Sequence, residues 1–136
     1  MSVAPLPDHL HADAVALWEV CGLTRPWNDA ADDLRRALRG PASTVLACVD
    51  DGQLVGTAMV GHDGHRGWLY YLAVREDVRG RGLGRALVRA CEAWTAARGV
   101  PKLQLMVRTG NAPVLAFYEG LGYETSEVVV LGRRLD

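Results

Sequence analysis

The sequence predicts an α+β (mixed α/β) fold, with helices packed on one central sheet. Three observations lead there. Apolar runs short enough for strands are bounded by glycine, proline and aspartate turn signals. Between them lie longer stretches whose apolar residues recur every three or four positions. The 136 residues, 49% of them hydrophobic, suit a single domain spanning 1–136 with one core of its own.

Ser2 to Leu6 reads as a short edge strand, weakened by Pro5 and Pro7. Asp8 caps a helix running to Cys21, with Leu10, Ala14, Leu17, Trp18 and Cys21 on one face and Gly22 at its end. The polar loop Arg25-Pro26-Trp27-Asn28-Asp29 displays one aromatic ring. Asp29 caps a second helix, Ala30 to Arg39, which Gly40-Pro41 stops. Ser43 to Val49 and Gln53 to Val60 are strands joined by the hairpin signal Asp51-Gly52. Gly61 to Gly67 is a polar loop, and Trp68 to Val74, apolar on both faces, is a central strand. From Leu83 a helix runs to Arg98-Gly99, with Leu83, Leu87, Cys91 and Trp94 on one stripe and Arg81, Arg85 and Arg89 on another. Lys102 to Val107 alternates as a strand. Asn111 caps a helix from Ala112 to Glu119, with Pro113 tolerated in its first turn. Tyr123 to Val130 and Leu131 to Leu135 read as two final strands around Gly132. The order is ααββ–β–α–β–α–ββ.

Bulk properties narrow the function. A net charge of −1 gives no global attraction for nucleic acid or an anionic membrane. No apolar run reaches the roughly 18 residues of a membrane helix. Met1 to Leu10 lacks the basic start of a signal peptide, so a cytoplasmic protein is expected. Cys21, Cys48 and Cys91 lie far apart in apolar segments. They are expected to be buried free thiols with no basic neighbour to activate them. His62-Asp63-x-His65 lacks a third ligand at clear spacing, so no metal is expected.

The most informative stretch is Arg79-Gly80-Arg81-Gly82-Leu83-Gly84-Arg85, set between the Trp68 strand and a helix start. Bare amides and the positive end of a helix dipole converge there, and glycine lets backbone approach a phosphate closely. Arg75 to Arg89 holds five arginines against Glu76 and Asp77, a local net of +3. The loop is therefore read as a pyrophosphate cradle, against the plainer reading of a solvated basic face. A P-loop is excluded because no lysine or hydroxyl follows Gly84. A dinucleotide fingerprint is excluded because the spacing is G-x-G-x-G, not G-x-G-x-x-G.

These residues resemble the GNAT acetyltransferases over nearly the whole chain. The family pattern Q/R-x-x-G-x-G/A stands at Arg79 to Gly84, preceded by the strand end Leu72-Ala73-Val74. The late pattern N-x-x-x-x-x-x-Y stands at Asn111 to Tyr118, followed by Leu121-Gly122-Tyr123. The loops Arg25 to Asp29 and Asp63 to Gly67 look like those of a bacterial subgroup, the YpeA-like acetyltransferases. The resemblance implies a largely antiparallel sheet of six to seven strands, splayed between its fourth and fifth strands and flanked by four helices. It implies acetyl-CoA as co-substrate and an amine as acceptor, in a monomer or homodimer. It implies that amides of Gly80, Gly82, Gly84 and Arg85 carry the pyrophosphate, with Arg79, Arg81 and Leu83 in the same loop. It also implies that Leu72, Ala73 and Val74 pair with the pantetheine arm.

The chemistry needs few groups. A neutral amine attacks a thioester carbonyl, and a fixed donor near the developing oxyanion is worth about 3–4 kcal/mol. A backbone N–H near Val74 would serve. A thiol with pKa near 8.5 leaves readily, and a phenol with pKa about 10 can protonate it. Tyr118 stands where the family keeps that acid; alone, it would read as a core tyrosine. Asn111 reads as a helix cap, as a contact to the pantetheine arm, or both. Trp27, Asn28, Asp29, Asp63 and His65 are candidates for the acceptor pocket, although Asp29 is also a cap and His65 a solvent-facing loop residue. The family often carries Glu or His at the positions of Trp68 and Tyr70, and neither residue is a good base near pH 7. Asp63, His65, Glu76 or an ordered water stay open as the base. The acceptor stays open among small metabolites, aminoglycosides, protein N-termini and lysine side chains. The competing reading is a non-catalytic acetyl-CoA sensor of the same fold. A toxin acting on charged tRNA would need a broader basic surface.

Overall fold

Hairpin chemistry builds the centre of the sheet. In the computed structural model, which describes residues 2–136, β2 (Ser43–Asp50) turns into β3 (Gln53–His62). The turn passes through Asp51 and Gly52 at φ 50° and 74°. A tight hairpin wants the left-handed region at both positions, which aspartate and glycine tolerate best. β4 (Gly67–Val74) pairs antiparallel with β3, and β1 (Val3–Pro5) pairs antiparallel with β2. β5 (Leu103–Leu105) joins β4 in parallel, so the chain needs a crossover, which α3 (Leu83–Ala97) provides. The spatial order is β1-β2-β3-β4-β5.

The chain forms two units, residues up to Met106 and Val107–Asp136. In the first, α1 (His11–Val20) and α2 (Ala30–Leu38) cover one face of the sheet. Ala14, Leu17, Trp18, Ala30, Leu34 and Ala37 pack there with Val45, Ala47, Leu54 and Ala73. α3 covers the other face: a Cβ on Gly56 would meet Leu87 Cδ1 at 3.0 Å and Cys48 Cβ at 3.9 Å. Helices on both faces fit the reading of Trp68–Val74 as apolar on both faces. α3 buries Leu83, Leu87, Val88, Cys91 and Thr95. Trp94, expected on that stripe, lies at its edge instead, with the Arg98 guanidinium 3.7 Å above its ring. α1 is preceded by a 3-10 turn at Asp8–Leu10 rather than capped by Asp8.

In the second unit, α4 (Ala112–Gly120) starts as expected. The Val114 amide donates to the Asn111 side chain at 3.4 Å, and a proline sits in the first turn. Tyr118 is buried and meets the Tyr123 ring edge-on, centroids 5.7 Å apart. The two final strands expected over Tyr123–Val130 and Leu131–Leu135 do not form, leaving five strands among the described residues rather than six or seven. Val128, Val129, Val130, Leu131 and Leu135 are exposed, and 123–136 has no ladder partner among the described residues. β-branched composition favours a pleated, half-buried surface, but only pairing makes a strand.

Candidate active site

β4 leads into the site, and a bulge shapes it. Opposite β3, Thr57 pairs with Ala73 and Met59 with Tyr70, so Tyr71 and Leu72 together face Ala58. The extra residue sits with Tyr71 at φ 51°, a left-handed conformation that bulky side chains rarely adopt. β5 pairs only with Gly67–Leu69, so the Tyr70–Val74 edge has no strand neighbour on that side. Pairing between the fourth and fifth strands, where a splay was expected, ends at Leu69 and Leu105. The free edge contains Leu72, Ala73 and Val74, the residues expected to pair with pantetheine.

The chain then passes a 3-10 turn at Glu76–Val78 and enters the glycine loop. Gly80 and Gly82 both lie at φ 82°, and a Cβ built on either meets no heavy atom within 4 Å. Glycine is needed there for backbone conformation, with open space in front of it. Gly82 is the N-cap of α3 and supplies no side chain. The first intrahelical bond runs from the Ala86 amide to the Gly82 carbonyl at 3.0 Å. Helix geometry leaves the amides of Leu83, Gly84 and Arg85 without an intrahelical acceptor, beside the positive end of the dipole.

The arginines of this stretch divide by contact. Arg75 is held by Asp77 at 2.6 Å and by Gln53 at 3.0 Å, and Arg89 pairs with Glu92 at 2.7 Å. Arg81 and Arg85 are exposed and make no hydrogen bond or ion pair with a described residue. Arg79 folds back: its Nε donates to the Val74 carbonyl at 2.9 Å, and Nη2 lies 3.5 Å from Cys21 Sγ. Cys21 is only half-buried, contrary to expectation, and Arg79 is a basic neighbour where none was expected. That contact also sets the end of α1 beside the glycine loop.

The loop between α1 and α2 carries Trp27, 56% exposed, and Asn28, whose amide donates to the Arg25 carbonyl at 3.1 Å. Asp29 caps α2 by accepting from the Asp32 amide at 3.1 Å. Asp63 and His65 lie elsewhere, in the β3–β4 turn. The residue steps of β4 separate that turn from Val74 by roughly 23 Å. The Asp63 carboxylate accepts the His65 and Arg66 amides at 2.8 Å each. Those amides hold its pKa below the usual carboxylate range. Glu76 is exposed in the 3-10 turn, and Tyr70 is exposed with its hydroxyl pKa pushed up by partial burial. No metal-holding group of three His, Cys, Asp or Glu occurs among the described residues. No helix among them is long and apolar enough to cross a membrane.

Sequence reading missed Tyr71. Its hydroxyl donates to Asp33 Oδ2 at 2.7 Å, and its ring stacks on Trp18 at 4.0 Å. A bulge leaves no composition signal in an apolar run, though the doubled tyrosine at 70 and 71 marks where side-chain alternation slips.

Known proteins share this architecture. The pattern of the acetyltransferase (GNAT) family matches residues 12–123. An acetyltransferase of Yersinia pestis is 46% identical over 123 residues, covering 90% of this chain and 87% of its own. One from Pectobacterium atrosepticum is 47% identical over 121 residues, covering 89% and 86%. Among solved structures, an Agrobacterium tumefaciens putative acetyltransferase superposes with TM-score 0.83 at 21% identity, over 98% of this chain and 100% of its own. The aminoglycoside N-acetyltransferase AAC(6')-Iy, solved with CoA, gives 0.83 at 17% identity, over 99% and 95%. At those identities the structures speak to fold, and the curated relatives speak to kinship. The chain belongs to the GNAT family of acetyltransferases.

Proposed function

We propose that this acetyltransferase passes the acetyl group of acetyl-CoA directly to an amine held in a ternary complex. One observation carries the reading. Gly80 and Gly82 have open space where a Cβ would stand, and α3 starts after them without a side-chain cap, one 3-10 turn beyond a strand whose Tyr70–Val74 edge has no strand neighbour on one side. A diphosphate suits the first feature and a pantetheine amide chain the second. Arg81 and Arg85 add permanent charge at the diphosphate. Arg79, bound to the strand end, acts on the site through Val74. An N–H near Val74 serves the oxyanion, and Tyr118 gives its proton to the departing thiolate. Trp27, Asn28 and Asp29 rim the acceptor side, and Asn111 acts at least as the cap of α4.

Two of the three thiols, Cys48 and Cys91, are unsuited to carry the acetyl group. Burial pushes the Cys91 thiol up to about 12 and also raises Cys48, so neither offers a nucleophilic thiolate near neutral pH. Thiol release from acetyl-CoA, followed against a panel of amines, polyamines, amino acids and peptide N-termini, tests the reading. Intersecting initial-velocity lines and amine-dependent release are expected. Tyr118→Phe should lower kcat at least about tenfold with acetyl-CoA affinity little changed. Parallel lines would point to an acetylated enzyme, and tight binding without release across the panel would favour a sensor.

A further inference from the structure

The bulge in β4 is strained, and the strain is held from the helix side. Tyr71 sits at φ 51° where glycine would be at ease. Three contacts of its own, and one between its partners, fix it there. Its hydroxyl donates to Asp33 on α2 at 2.7 Å, and its ring stacks on Trp18 of α1 at 4.0 Å and 15°. Its own carbonyl accepts the Thr57 hydroxyl at 3.1 Å, and that hydroxyl in turn accepts the Trp18 indole N–H at 2.8 Å. Trp18 and Thr57 are fully buried at 0% exposure, so the bond between them is shielded from competing water, while the Tyr71 bonds to Thr57 and Asp33 are part-buried. Trp18 and Asp33 belong to the helices that flank the Trp27–Asp29 loop, and Tyr71 directly precedes Leu72. One side chain thus ties the acceptor side of the site to the donor side.

We propose that Tyr71 is a positioning residue for acetyl transfer. Clamped by Asp33, Trp18 and Thr57, it fixes the bulge and thereby the direction in which Leu72, Ala73 and Val74 present their backbone to acetyl-CoA. The inference rests on the assignment of those residues to the pantetheine arm. Glycine at this position would relieve φ but lose every side-chain contact. Phenylalanine would keep the ring and lose the Asp33 bond. Asparagine at 33 would still accept from the hydroxyl, whereas alanine would not.

Acetyl-CoA binding to the intact protein by calorimetry, with thermal unfolding measured alongside, tests this. Tyr71→Phe and Asp33→Ala should each weaken acetyl-CoA about tenfold, the loss expected when one hydrogen bond to a charged group stops holding a site in shape. Both should also raise the amine KM, at temperatures where the variants remain folded. Asp33→Asn should bind within about twofold of the parent, and Tyr71→Gly should bind poorly despite its relaxed backbone. A residue that merely stabilises the fold would lower the unfolding temperature and leave affinity alone. Tyr71→Phe and Asp33→Ala binding like the parent would overturn the proposal. If the parent itself fails to bind acetyl-CoA, the assignment of the arm fails instead, and the two failures are told apart by that control.

Discussion

Tyr71, Tyr70, Cys48 and Cys91 are all groups whose neutral form the fold prefers. Burial raises each of their pKa values, and for Tyr71 the hydrogen bond to Asp33 adds to the effect. The folded state holds these protons longer than the unfolded chain. Their stabilisation is therefore complete below the unfolded values, 9.0 for the thiols and 10.0 for the phenols, and is lost as pH climbs through the raised ones. Urea midpoints should stay level to about pH 8.5, then fall, more steeply above about 10. The fall should be shallower in Tyr71→Phe, and a flat profile to pH 11 would contradict the burial assigned to these groups. At Gly82 the expectation concerns the ligand. Gly82→Asp sets a carboxylate into open space at a left-handed N-cap, where aspartate is better tolerated than most residues. Acetyl-CoA binding should vanish in calorimetry while the circular dichroism stays native, and retained micromolar binding would reject the loop as the diphosphate site.

Elements show where patterning sufficed and where it did not. The Asp51-Gly52 hairpin, the Asp29 and Asn111 caps and the glycine-led start of α3 all arise from local chemistry, so sequence order alone located them. Every helix and the strands β1 to β5 lie where periodicity put them, within a few residues. The final strands fail because a ladder needs a partner, and valines at 128 to 130 carry no information about one. The β4 bulge, the Arg79–Val74–Cys21 contact and the role of Gly67 depend on what crosses the sheet, which local sequence does not encode. At Gly67 the reason is steric. A Cβ would lie 2.7 Å from Thr95 Cγ2 and 3.0 Å from its Oγ1, on a buried residue bonded to the Cys91 carbonyl at 2.8 Å. Thr95 has little freedom to retreat, so Gly67→Ala should cost about 1–3 kcal/mol in urea unfolding. An unchanged midpoint would show that α3 stands further from β4 than described.

For the whole molecule, the near-zero net charge and the local arginine excess together favour a small anionic ligand over a polymer. The glycine loop and the strand end before it were located from sequence order, because a turn at positive φ into a helix needs glycines at fixed spacing. Asp63 and His65 stand in the β3–β4 turn, away from the Trp27–Asp29 loop they were grouped with, and the Tyr71–Asp33 bond left no signal in the sequence. The central claim is that main-chain amides of residues 80 to 85 bind the diphosphate of acetyl-CoA. A crystal structure of the protein with CoA tests it most directly. Diphosphate oxygens within about 3 Å of those amides are expected, with the pantetheine alongside Leu72–Val74. CoA seated elsewhere, with those amides bonded to the protein itself, would contradict the account.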